Sequence, residues 1–335
     1  MIQRISVWRY LLPLNKPIIT IHGQQSERSG LILQWHHDGG SAWSEVSPLP
    51  GFSHESLMGA QAQLLGLLAE GFIGLANNAR QSHLTDRLSN RLYPSVKFGL
   101  EMGLTKLFSP LPQQPGTLSI VGLIDEAPYD AKRYELNPIV KIKVGRHSLE
   151  QDIVSVNQII KELNGTKDIR LDANQSWSLD QAEYFLSKIP LKQISFIEEP
   201  LANSNDYSDW HKKISVPFAF DEQLQQSTFP VKRIRGLGAL VIKPTLIGLQ
   251  RSINLINDAD RLGIQSVISA SYESSLTLNF LYALALRYTP QSPPGLDTYR
   301  NYQYDLIEPL SLPTTLINLP LAPESAMVKV ADYEY

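Results

Sequence analysis

Charged side chains stand where buried parallel strands should be apolar. The run IVKIKV (139–144) carries Lys141 and Lys143 two positions apart, hence on one face of an extended chain. Arg170, Asp172 and Asn174 share a face of the next run, DIRLDAN (168–174), by the same alternation. Beyond them come the adjacent Glu198 and Glu199, then Asp221, Lys243 and Ser269, each near the end of its own apolar run. From Lys143 to Ser269 the steps between runs are 22 to 29 residues, room for one strand, one helix and their turns.

Three carboxylates brought together repel one another unless a cation joins them. Asp172, Asp221 and one of the two glutamates therefore read as a metal site; alternation lets only one of that pair face inward and does not say which. Hard oxygen donors, with no histidine in these runs, favour Mg²⁺ over zinc. A single strand carboxylate is more often a cap or an ion pair, but three on consecutive strands flanked by lysine strands are not explained that way. A lysine serves as a general base only as the neutral amine, the form that cationic neighbours favour. Lys143 is expected beside Lys141, Lys243 and the divalent ion, which meets that condition. A substrate carboxylate held by the metal has a more acidic α-proton, because the cation stabilises the enediolate.

These residues need a scaffold that gathers strand ends. Short apolar runs at 118–124, 139–144, 168–174, 194–200, 218–222, 239–244, 266–271 and 295–298 give eight strands. Helices with capping-box starts at Ser148/Gln151 and Ser178/Gln181 lie between some of them. That rhythm fits an α/β fold, a (β/α) TIM-type barrel, whose strand ends converge on one mouth. The chain before it reads differently, with strands near 2–12, 30–36 and 41–46, then helices near 53–68 and 94–108. The expected division is an α+β capping domain over 1–110 with a lid loop at about 15–28, a catalytic barrel over 111–312, and a tail, 313–335, packing back on the capping domain.

Composition excludes other classes. The 335 residues are 43% hydrophobic, enough for a large core, and the net charge of −3 has no basic block to hold nucleic acid. There is no cysteine, which removes disulfides and thiolate chemistry and fits a reducing compartment. No stretch reaches the roughly 20 apolar residues of a membrane span, and the N-terminus lacks a signal-peptide pattern. A cytoplasmic protein is expected, with the sequons at Asn164 and Asn174 coincidental.

The ordered strings KIK (141–143), RLDAN (170–174), FIEEP (196–200), FDEQL (220–224), VIKPTLIG (241–248), SASYESS (269–275) and PPGLDT (293–298) resemble the o-succinylbenzoate synthase family of the enolase superfamily. WSEVSPLPGFSHES (43–56) and PSVKFGLE (94–101) are similar to that family's capping domain. The resemblance implies Asp172, Glu198 and Asp221 as metal ligands, choosing the first glutamate of the pair. It implies Lys143 as the acid/base and Lys243 as the cation opposite. Lys141, Arg170, Asn174, Ser269 and Gly295 become positions that shape the pocket and contact substrate. The implied reaction is a Mg²⁺-dependent syn-dehydration, with Mn²⁺ able to substitute, on a small-molecule carboxylate in menaquinone synthesis. The implied state is a monomer without nucleic-acid or membrane partners. N-succinylamino acid racemases and dipeptide epimerases use the same constellation and are the nearest alternatives; a non-catalytic ligand-binding barrel would be expected to lose a charged member of the set.

Overall fold

The computed structural model describes all residues except 21–22, 79–90, 112–117, 126–129, 164–166, 227 and 308–319. The expected 312/313 boundary and Asn164 therefore lie outside the described residues. Among those described, no helix is long and apolar enough to cross a membrane.

Strands β1 (Ile2–Thr20), β2 (Gly23–His37), β3 (Gly40–Val46) and β11 (Met327–Glu334) form an antiparallel sheet in the order β11-β1-β2-β3. Ile5, Val7, Leu31, Leu33, Trp35 and Val46 from this sheet are buried in one core with Leu64 and Leu68 of the helix Leu57–Ala69 and Leu100 and Leu104 of the helix Pro94–Phe108. Pro94 opens that second helix where its missing N–H costs nothing, and Gly103 packs under Trp35, whose ring leaves no room for a Cβ.

Residues 15–28, expected as a loop, are instead mostly the far end of the β1–β2 hairpin. The register breaks between Pro13 and Ile18, since prolines at 13 and 17 cannot donate to the ladder. The bulged segment turns to the rest of the molecule: Leu14 bridges Tyr302, and the Asn15 side chain donates to the Tyr302 carbonyl at 3.0 Å.

The second sheet is parallel: β4 (Gly122–Ile124), β5 (Ile139–Lys143), β6 (Asp168–Asp172), β7 (Ile194–Glu198), β8 (Phe218–Phe220), β9 (Leu237–Ile242) and β10 (Gln265–Ile268). Among the described residues seven strands form where eight runs were expected. The eighth run contributes one bridge, Ser269 to Gly295, before a 3₁₀ turn begins at Asp297. Pro293 and Pro294 supply no N–H, yet the Pro294 carbonyl accepts from Val121 and the Gly295 N–H donates to Ile268, so this segment joins β4 to β10. Between β7 and β8 lie 3₁₀ turns and a four-residue helix. The capping boxes at Ser148 and Ser178 are both formed.

Alternation divides the parallel strands. Val140, Ile142, Leu171, Ile197, Leu240 and Ile242 belong to the large core shared with the helices. Phe196, Ala219, Ala239, Val241 and Val267 form a separate cluster inside the barrel, small enough to close its floor.

Lys106, on the helix Pro94–Phe108, lies at the junction of the two parts. It donates to the Trp43 carbonyl at 2.8 Å and sits 5.9 Å from the Phe280 ring centre. Burial pushes its ammonium down to about 8, against the opposing pull of Glu45. The folded state therefore releases this proton before the unfolded chain does. Stability should rise by about 2–3 kcal/mol as pH climbs from 8 toward 10.5, because the unfolded state then binds more protons. Denaturant midpoints at pH 7 and 9.5 for wild type and Lys106→Met check this: the rise should belong to wild type alone, and an equal rise in both contradicts it.

Candidate active site

Lys141 and Lys143 alternate on β5 with the outward Val140 and Ile142, which turns both ammonium groups into the barrel. Strand register aligns Lys143 with Asp172 and Asp172 with Glu198 across β5, β6 and β7. Asp221, Lys243 and Ser269 each follow the last residue of their strand. Strand ends thus place all seven side chains at one mouth.

The carboxylates are almost wholly buried, Asp172 at 1%, Glu198 at 2% and Asp221 at 3% exposure. Lys143 Nζ lies 2.7 Å from Asp172 Oδ2, and Lys141 Nζ bridges Asp172 and Glu198 at 3.1 Å each. Lys243 is ion-paired with Asp221 and rests 5.9 Å from the Phe52 ring centre. Burial would raise the Asp172 carboxyl, but Lys143, Lys141 and Lys243 outweigh it and hold it below the usual carboxylate range. Glu198 goes the other way, to about 7: burial raises it, Lys141 opposes, and Asp172 and Asp221 add to the rise. Burial depresses Lys141 and Lys243, yet the surrounding carboxylates prevail and both are raised above the ordinary lysine value.

Lys143 stands near Lys141, as expected, since both ammonium groups share Asp172 Oδ2. Its contacts are Asp172 and the Asn174 amide oxygen at 3.0 Å, because each ammonium takes the nearest buried oxygen. Asn174 adopts φ +44° just past β6 and donates its amide to Glu222 at 2.9 Å. Ser269 and Gly295 touch through their bridge, and a Cβ at position 295 would lie 2.8 Å from the Ser269 hydroxyl. That close approach requires glycine there. Arg170 is not at the mouth. It lies two residues lower on β6, 2% exposed, donates to the Pro293 carbonyl at 3.1 Å and stacks 5.0 Å from the Phe196 ring centre.

Of the adjacent glutamates, Glu198 meets Lys141. Glu199 turns away at φ +34°, and one of its oxygens accepts the backbone N–H of Asp221 and of Gln223, each at 2.9 Å. Tyr207 donates to the other oxygen at 3.3 Å. Glu199 thus holds the Asp221 loop from behind, and burial with nearby Glu222 pushes its carboxyl up to about 8. Sequence reasoning did not single out Glu222, nor Leu49 and Phe52, which close the mouth from the turn after β3. Their motif strings are visible, but nothing local places them over a barrel formed a hundred residues later.

Lys141, Lys143, Lys243, Ser269 and Gly295 line one cavity with about 590 Å³ of empty volume, walled by Leu49, Phe52, Leu246 and Tyr272. Among the described residues, no three His, Cys, Asp or Glu side chains converge as a metal-holding group. Their oxygens face ammonium groups, the cations the chain itself supplies. The donor chemistry nevertheless fits a hard dication: three buried carboxylates at neighbouring strand ends, one of them pushed up to about 7 by burial and, after it, by the negative charge of the other two. The arrangement can hold a carboxylate substrate between two amines and offer a proton acceptor on one side of it.

The family described as MenC, N-terminal domain matches residues 2–107, and the family described as Enolase C-terminal domain-like matches residues 127–329. The o-succinylbenzoate synthase of Aliivibrio fischeri is 36% identical over 90% of this chain and 91% of that relative. That of Edwardsiella ictaluri is 34% identical over 91% of this chain and 93% of its own length. Among solved structures, o-succinylbenzoate synthase from Thermosynechococcus elongatus, complexed with Mg in its active site, superposes with a TM-score of 0.67 at 21% identity, covering 89% of this chain and 94% of that one. The dipeptide epimerase of Enterococcus faecalis, complexed with Mg and a dipeptide, gives 0.77 at 17% identity over 97% and 99%. These structures share the fold, while the relatives above 30% identity share the sequence along nearly its whole length: the chain belongs to the o-succinylbenzoate synthase family of the enolase superfamily.

Proposed function

We propose that this chain is a lyase that dehydrates 2-succinyl-6-hydroxy-2,4-cyclohexadiene-1-carboxylate to o-succinylbenzoate, a step of menaquinone biosynthesis. The observation that carries the reading is that Lys143 and Lys243 line one cavity in different surroundings. Lys143 is ion-paired with Asp172 and also donates to the neutral amide oxygen of Asn174, whereas Lys243 is ion-paired with Asp221, faces the Phe52 ring and is held as an ammonium, against burial, by Asp221 and Glu222. A group that must take and return a proton differs from a group that must stay charged, and the two lysines fit those roles.

In this reading Lys143 removes the proton from the carbon beside the ring carboxylate. The same amine then protonates the departing hydroxide, which leaves from the same face, so one residue completes a syn elimination. Lys243 stays protonated and stabilises the negative charge that builds on the carboxylate. Asp172, Glu198 and Asp221 would hold Mg²⁺, with Mn²⁺ as a substitute. When bound, the cation supplies Lewis-acid charge beside the substrate carboxylate. Asn174 orients the Lys143 amine, and Leu49 and Phe52 exclude water from above. Ser269 and Gly295 shape the wall opposite. Arg170, buried below, packs on Phe196 and ties to Pro293 rather than meeting substrate. The antiparallel part serves as the cap, the β1–β2 hairpin as its lid, and the whole acts as a cytoplasmic monomer.

A second reading, racemisation of N-succinylamino acids or dipeptide epimerisation, follows from the same pair of lysines, since each could exchange an α-proton on its own face. Incubation in deuterated water separates the readings. Dehydration should exceed α-proton exchange of N-succinylamino acids by at least about a hundredfold in kcat/KM, roughly 3 kcal/mol in barrier. Rapid exchange without o-succinylbenzoate formation would move the assignment to the racemase.

A further inference from the structure

Among the described residues, Arg28 is a buried cation with no acidic hydrogen-bond or ion-pair partner. It is 2% exposed, and the hydrogen bonds of its guanidinium all go to uncharged oxygens. Nη1 donates to the Pro48 carbonyl at 3.0 Å, and Nη2 to the Ser47 carbonyl at 3.3 Å and the Ser47 hydroxyl at 2.7 Å. Nε donates in a different direction, to the Tyr272 carbonyl at 3.0 Å. Desolvating a guanidinium for four neutral acceptors is expensive, and a merely space-filling position would be occupied by an apolar side chain.

What those acceptors have in common is the cavity. Ser47 and Pro48 lead directly into Leu49 and Phe52, the cap residues that close the mouth. Tyr272 lines the opposite wall, three residues after Ser269, and it is held at φ +58°, a conformation an L-tyrosine adopts only under constraint. Its carbonyl also accepts from the Tyr302 hydroxyl at 2.6 Å. The same junction is tied once more nearby: Tyr10 donates to Glu45 at 2.6 Å and lies 2.9 Å from the Ser47 hydroxyl, and Glu45 accepts from the backbone and hydroxyl of Ser274 at 3.1 and 2.7 Å. Arg28 itself sits on β2 toward the turn of the β1–β2 hairpin, paired with Leu12. One planar fork therefore spans three segments: the hairpin, the cap turn and the barrel loop.

We propose that Arg28 is a positioning residue for the reaction, which fixes the Leu49–Phe52 wall against the Ser269–Tyr272 wall and so sets the width of the substrate cavity. The inference rests on that cavity being the active site. It predicts that the two walls lose register when the fork is lost while the lysines and carboxylates, which stand on barrel strands, do not move. Lysine in its place keeps the charge but offers no rigid fork to reach both sides at once.

The test compares Arg28→Lys and Tyr302→Phe with wild type by steady-state kinetics and by hydrogen exchange of the peptides covering 46–53 and 269–275. For Arg28→Lys, KM should rise about tenfold or more with kcat within about threefold of wild type, since binding geometry changes and the chemistry does not. Both peptides should exchange about tenfold faster, and Tyr302→Phe, which removes the second donor to the same carbonyl, should show a smaller change of the same kind in 269–275 alone. Unchanged KM and unchanged exchange in a folded Tyr302→Phe would overturn the proposal even if Arg28→Lys fails to fold. Loss of kcat with KM constant in Arg28→Lys would overturn it as well. Because hydrogen exchange needs no substrate, an error in the assigned reaction would show separately, as a wild-type protein with protected walls and no dehydration.

Discussion

Lys143→Ala should lower kcat for o-succinylbenzoate formation by at least about a thousandfold, the upper range for a positioned acid–base group that acts twice in one turnover. Its fold should survive. Asp172 keeps Lys141 at 3.1 Å, so the deleted ammonium does not leave a bare buried carboxylate, and the loss in stability should stay near 1–2 kcal/mol. Lys243→Ala is expected to differ in kind. It removes a fixed charge and leaves Asp221 without its ammonium partner, so activity falls about 10²–10³-fold. Added primary amines should then restore turnover to the Lys143 variant, which lacks a proton carrier, and not to the Lys243 variant, which lacks a charge at a fixed place. Retention of more than a tenth of wild-type kcat by Lys143→Ala would remove this lysine from the mechanism.

Removal of divalent cations should abolish activity, and Mg²⁺ should stabilise the folded protein. Asp172, Glu198 and Asp221 are all at or below 3% exposure, and mutual repulsion among them is a standing cost that a dication relieves. Mg²⁺ at a hundredfold over its dissociation constant should add about 2.7 kcal/mol, visible as a rise in melting temperature that chelator reverses. Glu198→Gln keeps the shape and removes one anionic donor. It should lose most of that rise and most of the activity while remaining at least as stable as wild type in chelator, because a repelling charge has gone. A Glu198→Gln protein with the full Mg²⁺-dependent rise would show that the cation binds elsewhere.

Much of this site is legible in the sequence because charge in a buried strand is costly and therefore informative. Lys141, Lys143, Asp172, Glu198 and Asp221 each interrupt an otherwise apolar alternation, and the structure gathers them at one mouth. Helix starts were also local: Ser148 and Ser178 announce their own capping boxes, and Pro94 its helix. What failed to show were effects of distant parts on one another. The run at 295–298 shrinks to a single bridge because two prolines precede it and the chain turns at Asp297. Alternation leaves Glu198 and Glu199 equal, and only the loop carrying Asp221, which captures Glu199, separates them. The polar stretch around residues 15–28 reads as a loop because its pairing is solvent-facing and bulged, with little apolar signal. Arg28 gave no signal at all, since its acceptors lie 19 to 244 residues away.

The most direct measurement follows o-succinylbenzoate formation from 2-succinyl-6-hydroxy-2,4-cyclohexadiene-1-carboxylate by purified protein, first with Mg²⁺, then with excess chelator, then with Mg²⁺ restored. The account predicts turnover in the first and third conditions and none in the second, with Lys143→Ala inactive throughout. Undiminished turnover in chelator, or no turnover in any condition by a folded wild-type protein, would contradict it.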